Sequence, residues 1–82
     1  MKISVYYKLK TKEIVGMCQG KQTLKGYKGL TEDEAGLIFG IFTIDGNNFI
    51  LKHPNMFIVV EKDEFLDIKL KEDIRVSLEK LM

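Results

Sequence analysis

The sequence predicts a small α+β domain, a mainly antiparallel sheet with one short helix packed on it. Three features carry this expectation. The chain opens with period-two alternation, it has one well-marked helix start before its midpoint, and its most apolar late segment is short and β-branched. The 82 residues suffice for a single domain, 1–82, with one core of modest size.

Residues 2–10 alternate, with Ile3, Val5, Tyr7 and Leu9 on one face and Lys2, Ser4, Lys8 and Lys10 on the other. Only Tyr6 breaks the pattern, so the segment reads as a half-buried strand. Thr11 and Lys12 can turn the chain, with Lys12 at positive φ if the turn is tight. Residues 13–18 then return as a second strand, in which Gly16 suggests a bulge or a close backbone approach. Residues 19–30 follow no period. They hold Gly20, Gly26 and Gly29 with Lys21, Lys25 and Lys28 between them, and read as a long basic loop.

Thr31 can cap a helix, and Glu34 three residues on completes a capping box. Leu30 and Ala35 are placed for a hydrophobic staple, and the acids of the first turn suit the positive end of the helix dipole. The expected helix covers 32–40 and hands over to strand by Ile41. Asp45-Gly46-Asn47-Asn48 is a turn between extended segments at 41–44 and 49–52. His53-Pro54-Asn55 is another turn. Residues 56–61 are almost wholly apolar and read as a central strand buried on both faces. In the tail, apolar residues fall at even positions from Leu66 to Leu78, which favours a hairpin turning near residues 71–73. Helical spacing of Leu66, Leu70, Ile74, Leu78 and Leu81 is the competing reading.

Composition is 45% hydrophobic and 30% charged, which excludes a disordered or low-complexity chain. The longest apolar stretch, about ten residues at 35–44, is roughly half of what spans a bilayer, so no membrane role is expected. The opening residues lack the apolar core of a signal peptide. A single cysteine, Cys18, forms no internal disulfide and suits a reducing, cytoplasmic setting. Net charge is +1 but divided: residues 1–30 carry +6 and residues 31–82 carry −5. The two halves either compensate each other across a sheet or leave a polarised surface for an anion or a complementary partner. Twelve Lys to one Arg argues against bidentate phosphate or guanine recognition.

Catalytic and metal chemistry find little support. Nucleophilic catalysis needs Cys18 or a serine paired with the lone His53, and these read instead as a small core residue and a turn residue. No Cys/His spacing suggests a metal, and residues 45–48 lack the alternating ligands of a calcium loop. Residues 20–23 lack the first glycine and the Ser/Thr of a phosphate loop. The expectation is therefore no catalytic residues, no metal and no cofactor. The segment with binding potential is 20–29, where Lys21, Lys25, Lys28 and Tyr27 could surround an anion with ammonium groups and backbone amides. Tyr27 could stack on a base, and Lys2, Tyr6, Lys8 and Lys10 could extend the patch.

The run Val5-Tyr6-Tyr7-Lys8-Leu9-Lys10-Thr11-Lys12-Glu13-Ile14-Val15-Gly16 resembles the opening hairpin of many small phage and prophage proteins. Those run as an aromatic-rich strand, a Lys-Thr-Gly-Glu turn and Ile-Val-Gly; here Lys12 stands in place of the turn glycine. The resemblance implies a phage or mobile-element origin and no specific activity. The expected function is a non-enzymatic phage-type binding protein that inhibits or sequesters a host factor, either a protein surface or a small anionic ligand. The alternatives are a virion or assembly component, which would be a homo-oligomer, and then a nucleic-acid-binding accessory.

Overall fold

A computed structural model describes residues 1–81. The chain runs β1 (Lys2–Lys8), β2 (Ile14–Gln19), α1 (Glu32–Gly36), β3 (Phe39–Asp45), α2 (Asn48–Lys52), β4 (Phe57–Lys62), β5 (Phe65–Leu70) and α3 (Glu72–Leu81). One antiparallel sheet has the order β2-β1-β3, and a second consists of β4 and β5. The α+β class stands, with three α-helices among the described residues where one was expected.

β1 is the central strand and is covered on both sides. Ile3, Val5 and Tyr7 point into one core with Val59 of β4, against Met17, Phe42, Ile44 and Ile68. Tyr6 points the other way into a second core with Leu24, Ala35 and Phe39. Tyr6, the residue that broke the alternation, thus marks a second buried face rather than a defect in the strand. Leu9 was expected beside Val5 and Tyr7, but β1 ends at Lys8 and Leu9 lies exposed in the turn. That turn is closed by Lys12 N–H to the Lys8 carbonyl at 2.9 Å, with Lys12 at φ 65°. The register slips by one residue between Tyr6↔Gly16 and Tyr7↔Ile14, leaving Val15 as the extra residue of a bulge next to Gly16.

β1 is antiparallel to both neighbours, so β2 and β3 run parallel to each other. A chain joining two parallel strands must travel back along the sheet, which takes a dozen or more residues. Residues 20–38 make that return across the second face, and α1 is part of it. The capping box forms as expected: Glu34 N–H donates to the Thr31 hydroxyl and Thr31 N–H donates to the Glu34 carboxylate, each at 3.1 Å. The helix is shorter than expected and gives way to β3 at Phe39. Gly40 is required where it stands, since a Cβ there would overlap the ring of Tyr7, its partner across the ladder.

Residues 49–52 are helical rather than extended. The Asn47 side chain accepts the Ile50 N–H at 3.0 Å and so starts α2, which turns Ile50 and Leu51 onto the first core. The segment expected as the central strand, now β4, forms a strand ladder with β5 alone among the described residues. Its apolar run has a different cause: Phe57 and Val59 are buried, while Ile58 forms an isolated bridge with Glu13 at the end of the β1–β2 turn. The tail is strand and then helix, not a hairpin. The β4–β5 ladder ends at Phe57↔Leu70, and beyond Lys71 the chain enters α3 instead of pairing back along β5. Glu72 and Asp73 favour a helix start, and Arg75 pairs with both Glu72 and Glu79 along α3. No residue of α3 is buried. No helix among the described residues is long and apolar enough to cross a membrane.

Candidate functional site

The basic segment is a buttressed part of the return chain. At its start the buried Ser4 hydroxyl of β1 donates to the Gly20 carbonyl at 2.7 Å and accepts the Gln22 N–H at 2.8 Å. Gly20 adopts φ 89°, a left-handed conformation that glycine takes without strain. Leu24 then drops into the second core. Two tight turns follow, closed by Tyr27 N–H to Leu24 C=O at 3.0 Å and Gly29 N–H to Gly26 C=O at 3.1 Å. Lys28 sits at φ 54° inside the second of them, a conformation that costs a non-glycine residue about 1 kcal/mol.

These anchors leave Lys21, Lys25 and Lys28 exposed on one segment above the core residues Leu24, Tyr27 and Leu30. Lys2 pairs with Asp45 at 3.1 Å, Lys8 with Glu13 at 3.8 Å and Lys12 with Glu61 at 3.0 Å. None of Lys21, Lys25 and Lys28 has a carboxylate partner among the described residues. Two of the pairs, at Lys2 and Lys12, join the basic and acidic halves. Direct ion pairs of the basic half therefore lie at the strand ends, while Lys10 and the three lysines of the return chain make none among the described residues.

Tyr27 is placed differently from its neighbours. Its ring stacks on Tyr6 with centroids 4.4 Å apart and meets Phe39 edge-on at 5.3 Å, while the Lys28 ammonium lies 5.6 Å from its centroid. Burial pushes the phenols of both Tyr6 and Tyr27 above the ordinary tyrosine range. This ring supports the segment from below and is engaged with Tyr6 where a stacked base would lie. Part of the amide set is committed, since the N–H groups of Gly20, Gln22, Lys25, Tyr27, Gly29 and Leu30 bond within the chain. The three ammonium groups stand exposed along the segment.

Cys18, expected as a core residue, is exposed on β2, on the same face as Tyr6 and opposite Ser4. His53 closes α2 and precedes Pro54, with its ring 4.7 Å from that of Phe49. The two lie in different elements, Cys18 in β2 and His53 after α2. Among the described residues no group of three His, Cys, Asp or Glu side chains is arranged to hold a metal.

Two contributors escaped the reading of the sequence. Ser4 looked like the polar face of a strand, and Leu24 was one apolar residue in a polar stretch. A lone leucine among lysines and glycines was the available signal that this segment has an inner side. A further feature went unseen, an open groove of about 410 Å³ lined by Phe42, Glu61, Asp63, Glu64, Phe65 and Leu66. No protein-family model, curated protein or solved structure matches the chain.

Proposed function

We propose that this is a non-enzymatic binding protein that uses Lys21, Lys25 and Lys28 to engage an acidic protein surface. The observation that supports this is the contrast in pairing among the described residues: Lys2, Lys8 and Lys12 are matched by carboxylates, whereas Lys10 of the first turn and the three lysines grouped on the return chain are not. The anchors at Ser4, Leu24 and Tyr27 hold that segment in one shape before any partner arrives, which lowers the ordering cost of association. With the three lysines spread along an exposed segment and the N–H groups of Gln22, Tyr27 and Gly29 committed internally, a broad acidic surface fits better than a small anion needing an enclosing cradle. With Tyr27 stacked on Tyr6, a protein partner also fits better than single-stranded nucleic acid. Under the phage-type reading suggested by the opening hairpin, the partner is a host factor whose acidic surface is masked.

Each exposed lysine gains only about 1 kcal/mol from a carboxylate 4 Å away in water, so three must act together. Replacing Lys21, Lys25 and Lys28 together with Ser leaves the melting temperature nearly unchanged, because unpaired exposed charges contribute little to folding. The same change abolishes binding to polyglutamate, measured by calorimetry, and removes its salt dependence. A nucleotide and a short oligonucleotide serve as competing probes. Full binding of polyglutamate by the triple variant, or tighter binding of the oligonucleotide by the native protein, overturns the proposal.

A further inference from the structure

A different surface carries a second binding role, independent of the lysines. β3 is an outer strand of its sheet: β1 pairs with one side of it, and no strand among the described residues pairs with the other. Outer strands usually carry a lysine, a proline or a bulge that discourages further pairing. β3 reads Phe39-Gly40-Ile41-Phe42-Thr43-Ile44-Asp45 and has none of these before its terminal acid, while its ladder with β1 keeps one register throughout. The opposite outer strand, β2, has the bulge at Val15 and the Glu13–Ile58 bridge at its start.

The groove of about 410 Å³ reaches β3 at Phe42. Its other walls come from the tip of the β4–β5 hairpin, where Asp63 at φ 44° begins a two-residue turn between Lys62 and Phe65. Phe42, Phe65 and Leu66 make it apolar, and Phe65 is 60% exposed although it is a large aromatic side chain. Glu61, Asp63 and Glu64 rim it with negative charge. Lys12 answers Glu61, whereas Asp63 and Glu64 have no basic partner among the described residues.

We infer that β3 and this groove accept an extended peptide segment of another protein, one that alternates apolar and basic side chains. The peptide's main chain hydrogen-bonds to the open side of β3, and alternate side chains point to the same face of the sheet. An apolar side chain enters between Phe42 and Phe65, and a lysine or arginine of the same peptide reaches Asp63 and Glu64. Charge decides against a second copy of this chain as the occupant. Pairing β3 with β3 about a two-fold axis would place two acidic rims side by side, a repulsive arrangement.

The test uses two short synthetic peptides, one alternating valine with lysine and one alternating valine with glutamate. Amide NMR spectra of the full chain follow each titration. The valine–lysine peptide should shift the resonances of Ile41, Phe42, Thr43 and Phe65 at peptide concentrations up to about 1 mM, and the valine–glutamate peptide should not. N-methylation of alternate peptide amides should abolish the shifts, because it removes the donors that strand pairing needs. Asp63→Asn with Glu64→Gln should weaken binding about tenfold, since each exposed charge accounts for a few-fold. If that variant fails to fold, the N-methylated peptide on the native protein decides the matter. Equal binding of the acidic peptide, indifference to N-methylation, shifts confined to other residues, or no shifts at all would each overturn the inference. So would concentration-dependent dimerisation through β3 that the peptide cannot displace.

Discussion

Ser4 shows how much can rest on one small side chain. It is fully buried, yet its hydroxyl is satisfied twice, by the Gly20 carbonyl and the Gln22 N–H. Ser4→Ala removes both bonds at once and leaves two backbone groups without a partner, a loss of about 1–3 kcal/mol. Chemical denaturation should show that loss, and amide exchange at Gln22 should rise more than at Val5. Equal exchange changes at both positions would mean that Ser4 supports the whole sheet rather than the start of the return chain. Lys12 is a second informative residue. Its left-handed backbone aims its carbonyl at Val59 N–H, 3.2 Å away, and its ammonium pairs with Glu61 and lies 5.5 Å from the Tyr7 ring centre. A glycine there would relieve strain and lose both side-chain contacts, terms of about 1 kcal/mol that nearly offset. The positive φ was legible from the turn, but the links to β4 were not, because they join segments more than forty residues apart.

Among the elements, the legible ones were those whose signal is local. Alternation gave β1, the Thr31–Glu34 box gave the start of α1, and Asp45-Gly46 gave the end of β3. The misread ones were settled by partners distant in sequence. β4 is apolar because of the bridge to Glu13 and the first core, not because strands flank it on both sides. The tail's even-numbered apolar residues belong to two elements, with Leu66, Ile68 and Leu70 on β5 and Ile74, Val76 and Leu78 on α3. This division separates two substitutions. Ile68 packs on the first core, so Ile68→Asp buries a charge and should unfold the protein. Val76 is 37% exposed on a helix without buried residues, so Val76→Asp should cost less than about 1 kcal/mol and leave a cooperative melt. Loss of folding by Val76→Asp would return the tail to the hairpin arrangement.

For the molecule as a whole, stability should be limited at both ends of the pH scale. Glu34 lies below the ordinary carboxylate range, first through the Thr31 backbone N–H and then its hydroxyl. Asp67 is lowered chiefly by Ile68 N–H and then Lys62, and Glu72 by Arg75. Each folded value is depressed, so the stabilisation is present above the unfolded value of about 4 and is lost as pH falls through the folded one. Tyr6 and Tyr27 are raised, so their part is complete below about pH 10 and is lost as pH rises through their folded values. Melting temperature against pH should therefore be level in the middle and fall on both sides. Glu34→Gln, which keeps the capping geometry, should flatten the acid limb, and Tyr27→Phe the alkaline limb; unchanged limbs would assign the decline to other groups. The three lysines stood out in the sequence because charge and glycine coincide there. The role of their segment as a return between parallel strands did not, since nothing local says that β2 and β3 share a direction. That return also sets an order of assembly. β1 meets β2 through pairs as near as Tyr7↔Ile14, but meets β3 at the nearest through Lys8↔Phe39. Closing the longer loop costs roughly 1 kcal/mol more in chain entropy, and it cannot close until the intervening segment has crossed the second face. The hairpin of β1 and β2 can form early, while Tyr6 waits for the crossing chain and Val5 for the later half of the sequence. The first strand of the chain is thereby the last to be covered on every side.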